Sequence, residues 1–128
     1  MISKISEGIE ISIETYYQAD YSNPLKSDFM FAYRITIDNL NPFTVQLISR
    51  CWNIYDSNGE QRNVEGEGVV GEQPVLKQGE HFTYTSGCHF NTEIGKMYGY
   101  YIMENQNSKQ RFKVNIPPFN LIVPAKLN

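Results

Sequence analysis

Long apolar runs are missing from this chain, and no stretch approaches the ~20 apolar residues that a membrane-spanning helix needs. The opening segment, MISKISEGIEISIETYY, sets acidic residues among its apolar ones and has no continuous apolar core, so it does not read as a secretory signal. Cysteine is scarce, with Cys51 and Cys88 the only two. In a chain read as unexported and cytoplasmic, both are expected to be free thiols. Clusters of basic residues are also missing. Lys26, Arg34, Arg50, Arg62, Lys77, Lys96, Lys109, Arg111, Lys113 and Lys126 are scattered, and the formal net charge is −3. That balance argues against nucleic acid and against a membrane surface as partners. Finally, no run of ten or more residues has helical spacing with caps, so helical bundles and alternating β/α folds are set aside.

What the sequence does have is a period of two. Ile9, Ile11 and Ile13 alternate with Glu10, Ser12 and Glu14. Phe29, Phe31, Tyr33, Ile35 and Ile37 share one strand face until Asn41-Pro42 breaks the run. A strand at 44–56 carries apolar residues on both faces, which predicts a bulge near Leu47-Ile48. Asn58-Gly59 suits a tight hairpin turn, with 61–64 as the returning strand. Residues 65–80, EGEGVVGEQPVLKQGE, read as a long surface loop with an extended piece at Val75-Leu76. Strands resume with Phe82 and Tyr84, then with Met97, Gly99, Tyr101 and Met103 opposing Tyr98, Tyr100 and Ile102. Phe112, Val114 and Ile116 share a face before Pro117-Pro118, which is expected to stop the pairing ahead of a separate edge strand at 119–123. Seven to nine strands within one domain, residues 1–128, predict an all-β, two-sheet sandwich of the immunoglobulin-like or fibronectin type III-like kind.

Gly66, Gly68 and Gly71 match the G-x-G-x-x-G spacing of dinucleotide-binding turns. That turn needs a following helix, whereas here Glu72-Gln73-Pro74 follows, and Glu67 and Glu72 would repel a phosphate. The backbone amides could still form an anion-binding nest. Arg50 and Trp52 lie two apart and so share a strand face. Trp52 is expected in the core, and Arg50 is either solvent-facing or part of an ion pair. His81, His89 and the two cysteines lack the paired spacing of a zinc site. Ser86-Gly87-Cys88-His89 supplies nucleophile and base types without a recognised strained turn. No catalytic residue, metal ligand or cofactor is assigned.

Four ordered segments carry a family resemblance: 45–52 (VQLISRCW), 66–74 (GEGVVGEQP), 82–87 (FTYTSG) and 95–103 (GKMYGYYIM). Together they resemble the ApaG domain over about residues 6–124. The resemblance implies a fibronectin type III-like sandwich found in short bacterial proteins, related to domains appended to some F-box proteins and to a polymerase-associated protein. It also implies a label tied to cobalt and magnesium resistance or efflux, which describes a phenotype rather than a mechanism, and no enzymatic activity. The chain departs from the family pattern at Cys51, where histidine is frequent, and at Gln78 and Glu93, where proline is usual.

The functional expectation is a non-enzymatic module binding a protein or peptide through the loop 65–74, with Gly66, Gly68, Gly71, Glu72, Gln73 and Arg50 at the site. The alternative is a pyrophosphate-type anionic small molecule held by the loop amides. The loop is expected to add little to stability. Its rival role is a structural plug in which Val69 and Val70 cap the sandwich and Glu72 pairs with Arg50. The protein is expected to be a monomer or weak homodimer.

Overall fold

The computed structural model describes residues 1–127. Nine strands form two antiparallel sheets. The first sheet has the order β1 (Ile2–Ser6), β2 (Ile9–Tyr17), β3 (Phe29–Asn39), β7 (His81–Phe90). The second has β5 (Gln61–Glu67), β4 (Val45–Asp56), β8 (Ile94–Asn105), β9 (Arg111–Ile122), with β6 (Val75–Leu76) also paired to β4. Between β2 and β3 the chain makes two short 3-10 turns, Ala19–Tyr21 and Pro24–Lys26.

Alternation drives the sandwich, because each strand presents one apolar face that only a second sheet can cover. Ile9, Ile11, Ile13, Phe31, Tyr33, Ile35 and Ile37 are buried from one side, and Trp52, Met97, Tyr101, Val114, Phe119 and Leu121 from the other. Trp52 sits at the centre, edge-on to Tyr33 (5.7 Å between ring centroids) and Phe119 (5.8 Å). Burying an aliphatic or aromatic side chain of this size contributes about 1.5–3 kcal/mol.

Three expectations need correction. The short strand β1 was not anticipated, because Ile2 and Ile5 stay exposed and give no one-sided pattern. Strand β5 continues through Glu65, Gly66 and Glu67, which pair with Cys51, Arg50 and Ser49, so the loop begins at Gly68. Pro117-Pro118 does not end a strand. β9 is continuous across it, and the register with β8 shifts between Met97 and Gly99 so that the prolines occupy an edge-strand bulge where a missing amide breaks no ladder.

Candidate functional site

The site grows out of the bulge in β4. The register with β8 shifts between Leu47 and Ser49, placing the extra residue at Ile48 as the sequence suggests. The shift changes the strand's phase: Val45 and Leu47 face inward before it, and Arg50, Trp52 and Ile54 after it. It also frees the Ile48 carbonyl, which accepts hydrogen bonds from the Gly68 amide (2.9 Å) and from Gln73 Nε2 (2.8 Å). The Leu47 amide donates to Pro74 O (3.1 Å) and Gln46 Nε2 to Gln73 O (3.2 Å). The loop is therefore fastened at both ends to one irregularity in a central strand.

Arg50, half-buried at the sandwich margin, turns its guanidinium to backbone. Nη1 donates to Glu67 O (3.0 Å) and Gly68 O (2.9 Å). Among the described residues its side chain makes no ion pair, so neither the exposed nor the ion-paired alternative applies, and the Glu72–Arg50 pair of the structural-plug reading is not formed. Gly66, opposite Arg50, makes room for this geometry: a Cβ there would lie 2.9 Å from Arg50 Nη1. Gly68 adopts φ +61, and a Cβ on it would meet Glu72 O, so it too must lack a side chain.

The tip is a two-residue turn. Val69 and Glu72 exchange both backbone hydrogen bonds (2.8 and 2.9 Å), with Val70 (φ 43) and Gly71 (φ 81) between them. Positive φ at both central residues makes this a mirror-image turn, in which a β-branched residue such as Val70 is strained. Val69 is fully buried while Val70 is 55% exposed. The expectation that the loop adds little burial is thus corrected at Val69: fastening 68–74 to the bulge drives that side chain into the core. Glu72 and Gln73 remain exposed. The amides of Gly68, Val69 and Glu72 are already bonded within the chain.

Beside the tip lies an open groove of about 510 Å³, with 72–76 on one wall and 80–82 on the other. His81 and Phe82 read only as strand residues from sequence. Their place in the groove comes from loop closure, for which no local pattern exists.

The remaining candidates do not converge. Cys51 and Cys88 are free, buried thiols on different sheets, and burial pushes the Cys88 thiol pKa up. Alternation along β7 sends Cys88 inward and His89 outward to Asp28 (2.5 Å), so 86–89 form no nucleophile–base pair. Among the described residues no group of three or more His, Cys, Asp or Glu is placed to hold a metal ion. No described helix is long and apolar enough to cross a membrane.

These features define a fibronectin-like antiparallel sandwich with a glycine-rich loop anchored on a bulged strand. The ApaG domain model matches residues 19–105. Protein ApaG of Brucella anthropi is 46% identical over 98% of this chain and 96% of its own length, and Protein ApaG of Vibrio cholerae is 48% identical over 94% of each. The crystal structure of the putative ApaA protein from Bordetella pertussis superposes with a TM-score of 0.88 at 40% identity, covering 91% of this chain and 94% of that one. The chain belongs to the ApaG domain family.

Proposed function

We propose that this domain is a non-enzymatic binding module that recognises a protein or peptide at the corner formed by the glycine-rich loop and its groove. The observation that carries this reading is the groove between 72–76 and 80–82, whose loop wall is held by Gln73 on the Ile48 carbonyl and by the Leu47 amide on Pro74 O, while Arg50 fixes the start of the loop at Gly68. A pre-ordered wall lowers the entropy lost on binding. The strained, exposed Val70 at the adjoining tip fits the same reading, since strain concentrates at functional sites. The small-anion alternative is less favoured, because three loop amides and the Arg50 guanidinium are bonded in the chain and the Glu67 and Glu72 carboxylates flank the tip. No metal or cofactor role is assigned, and the cobalt and magnesium label plays no part in the proposal.

Amide-resolved nuclear magnetic resonance tests it. A mixture of random hexapeptides is expected to shift amides of 72–82 and to lose that effect with Glu72→Lys, while inorganic pyrophosphate leaves 66–71 unmoved. Pyrophosphate shifts at 66–71, with none from peptides at the groove, would refute the proposal.

A further inference from the structure

Strand β7 borders the groove and pairs with β3 along one side only. The Asn39 amide donates to Glu80 O, which fixes the alternation. Even-numbered residues from 80 turn their backbone groups toward β3, and His81, Thr83, Thr85, Gly87 and His89 turn theirs outward. Arg62 Nη2 occupies the His89 carbonyl at 2.6 Å. Among the described residues nothing pairs the outward groups of Thr83, Thr85 and Gly87.

Other edges carry the usual protections against strand pairing. β9 has its proline bulge with Arg111 and Lys113, β5 has Arg62, Glu65 and Glu67, and β1 is five residues long. β7 runs for ten residues with no proline, lysine or arginine, and its register with β3 does not shift.

The two ends of this edge differ. Toward its C-terminus, Gly87 pairs with Ala32, and these two small residues floor an open depression of about 580 Å³ walled by Met30, Gln18 and the exposed Tyr21. A strand added beside β7 meets the Met30 methyl at Gly87, since Met30 Cε lies 2.8 Å from where a Cβ of that glycine would stand, so a large apolar residue placed there packs on an apolar floor. Toward the N-terminus, His81 pairs with Asp38 and neighbours Glu80. Asp38 Oδ1 is buried without a hydrogen-bond partner among the described residues, and Glu72 stands across the groove. That end complements positive charge.

We propose that β7 is a docking edge for an extended peptide strand, which carries a large apolar side chain over Gly87 and a lysine or arginine six residues later, beside Glu80. This rests on the peptide-recognition reading above and specifies its ligand. An extended polypeptide supplies alternating N–H and C=O groups at the spacing the edge presents. A second copy of this chain fits less well. The outward side chains of its β7 are His81, Thr83, Thr85 and His89, which offer neither a large apolar group nor a lysine or arginine. Pairing one strand of each copy also falls short of the roughly 1,200 Å² of a stable interface.

The probe is acetyl-Gly-Phe-Ser-Thr-Val-Thr-Ser-Lys-Gly-amide, laid antiparallel so that Phe faces Gly87 and Lys faces His81. Titration is expected to shift the Thr83, Thr85 and Gly87 amides and to slow their hydrogen exchange. Replacing Phe by Ala in the peptide should weaken binding about tenfold, as losing most of one buried aromatic would. N-methylation at the two peptide Thr residues should abolish it. Thr85→Pro, which removes an edge amide that bonds no neighbour, should do the same while leaving the unfolding midpoint near wild type. The two peptide variants decide the matter should Thr85→Pro fail to fold. Shifts confined to 72–76 that survive Thr85→Pro would overturn strand addition and leave recognition at the groove standing. Absence of any shift up to about 1 mM peptide would also overturn it, and the random-hexapeptide experiment then judges the broader reading separately.

Discussion

Tyr84 on β7 and Tyr101 on β8 meet across the sandwich with their hydroxyls 2.5 Å apart. Tyr101 is fully buried and Tyr84 is 6% exposed, so each hydroxyl depends on the other. Converting either to phenylalanine removes the hydrogen bond and strands the surviving hydroxyl in the core, at a cost of about 1–3 kcal/mol. Converting both removes two polar groups of matched shape and is expected to cost less than the two single changes summed, with a coupling of about 1–2 kcal/mol. Urea denaturation of wild type, Tyr84→Phe, Tyr101→Phe and the double variant measures this directly. Additive effects would refute the paired-hydroxyl argument.

The same pair predicts a response to alkali. Burial is the largest cause raising both phenol pKa values above the ordinary 10.0. In the unfolded chain the phenols ionise near pH 10 and in the folded chain they do not, so the unfolded state binds fewer protons above that pH. Their contribution to stability is present in full below about pH 10 and falls as pH rises toward the folded values, by about 1.4 kcal/mol per pH unit for each tyrosine. The double phenylalanine variant should show a shallower loss between pH 10 and 12. An identical slope in both proteins would contradict the assignment.

Val70→Asn should raise stability by about 1 kcal/mol, because asparagine tolerates the positive φ of the mirror-image turn better than a β-branched residue; thermal unfolding checks it. Gly66→Ala should destabilise by about 1–3 kcal/mol by displacing the Arg50 guanidinium from the Glu67 and Gly68 carbonyls, and the larger Gly66→Val should cost more in the same denaturation assay. The Cys88 thiol, raised in pKa by burial, should react with a thiol reagent at pH 8 only as fast as the fold opens, so adding urea should accelerate its labelling steeply.

Where one face is covered and the other wet, the sequence already displays the architecture. β2 and β3 announce their buried faces through Ile9, Ile11, Ile13 and the Phe29 to Ile37 series, and the blurred pattern of β4 correctly marks a bulge near Ile48. Legibility fails where that contrast disappears. β1 buries almost nothing, and β5 is exposed along most of its length, so pairing with a neighbour rather than a core pattern makes both of them strands. Pro117-Pro118 misleads for a related reason. A proline forbids one hydrogen bond, and whether that bond is needed depends on which side the partner strand lies.

The candidate site was legible only as composition. Gly66, Gly68 and Gly71 do mark an unusual backbone, but what each glycine accommodates is a tertiary matter: a guanidinium from β4 at Gly66, the Glu72 carbonyl at Gly68, a mirror-image turn at Gly71. A nucleotide-type spacing is therefore filled by the chain's own groups. Arg50 likewise reads as a charge from sequence, whereas in the fold it is a set of donors for backbone carbonyls, a role invisible without knowing that the bulge at Ile48 turns the residue inward. Least legible is the open side of β7, because an unpaired edge is a property of sheet order. His81, Thr83, Thr85 and Gly87 would read the same in a central strand. Only the placement of β7 at the end of the order β1-β2-β3-β7 leaves their backbone groups facing outward, and that order is set by the cores of other strands.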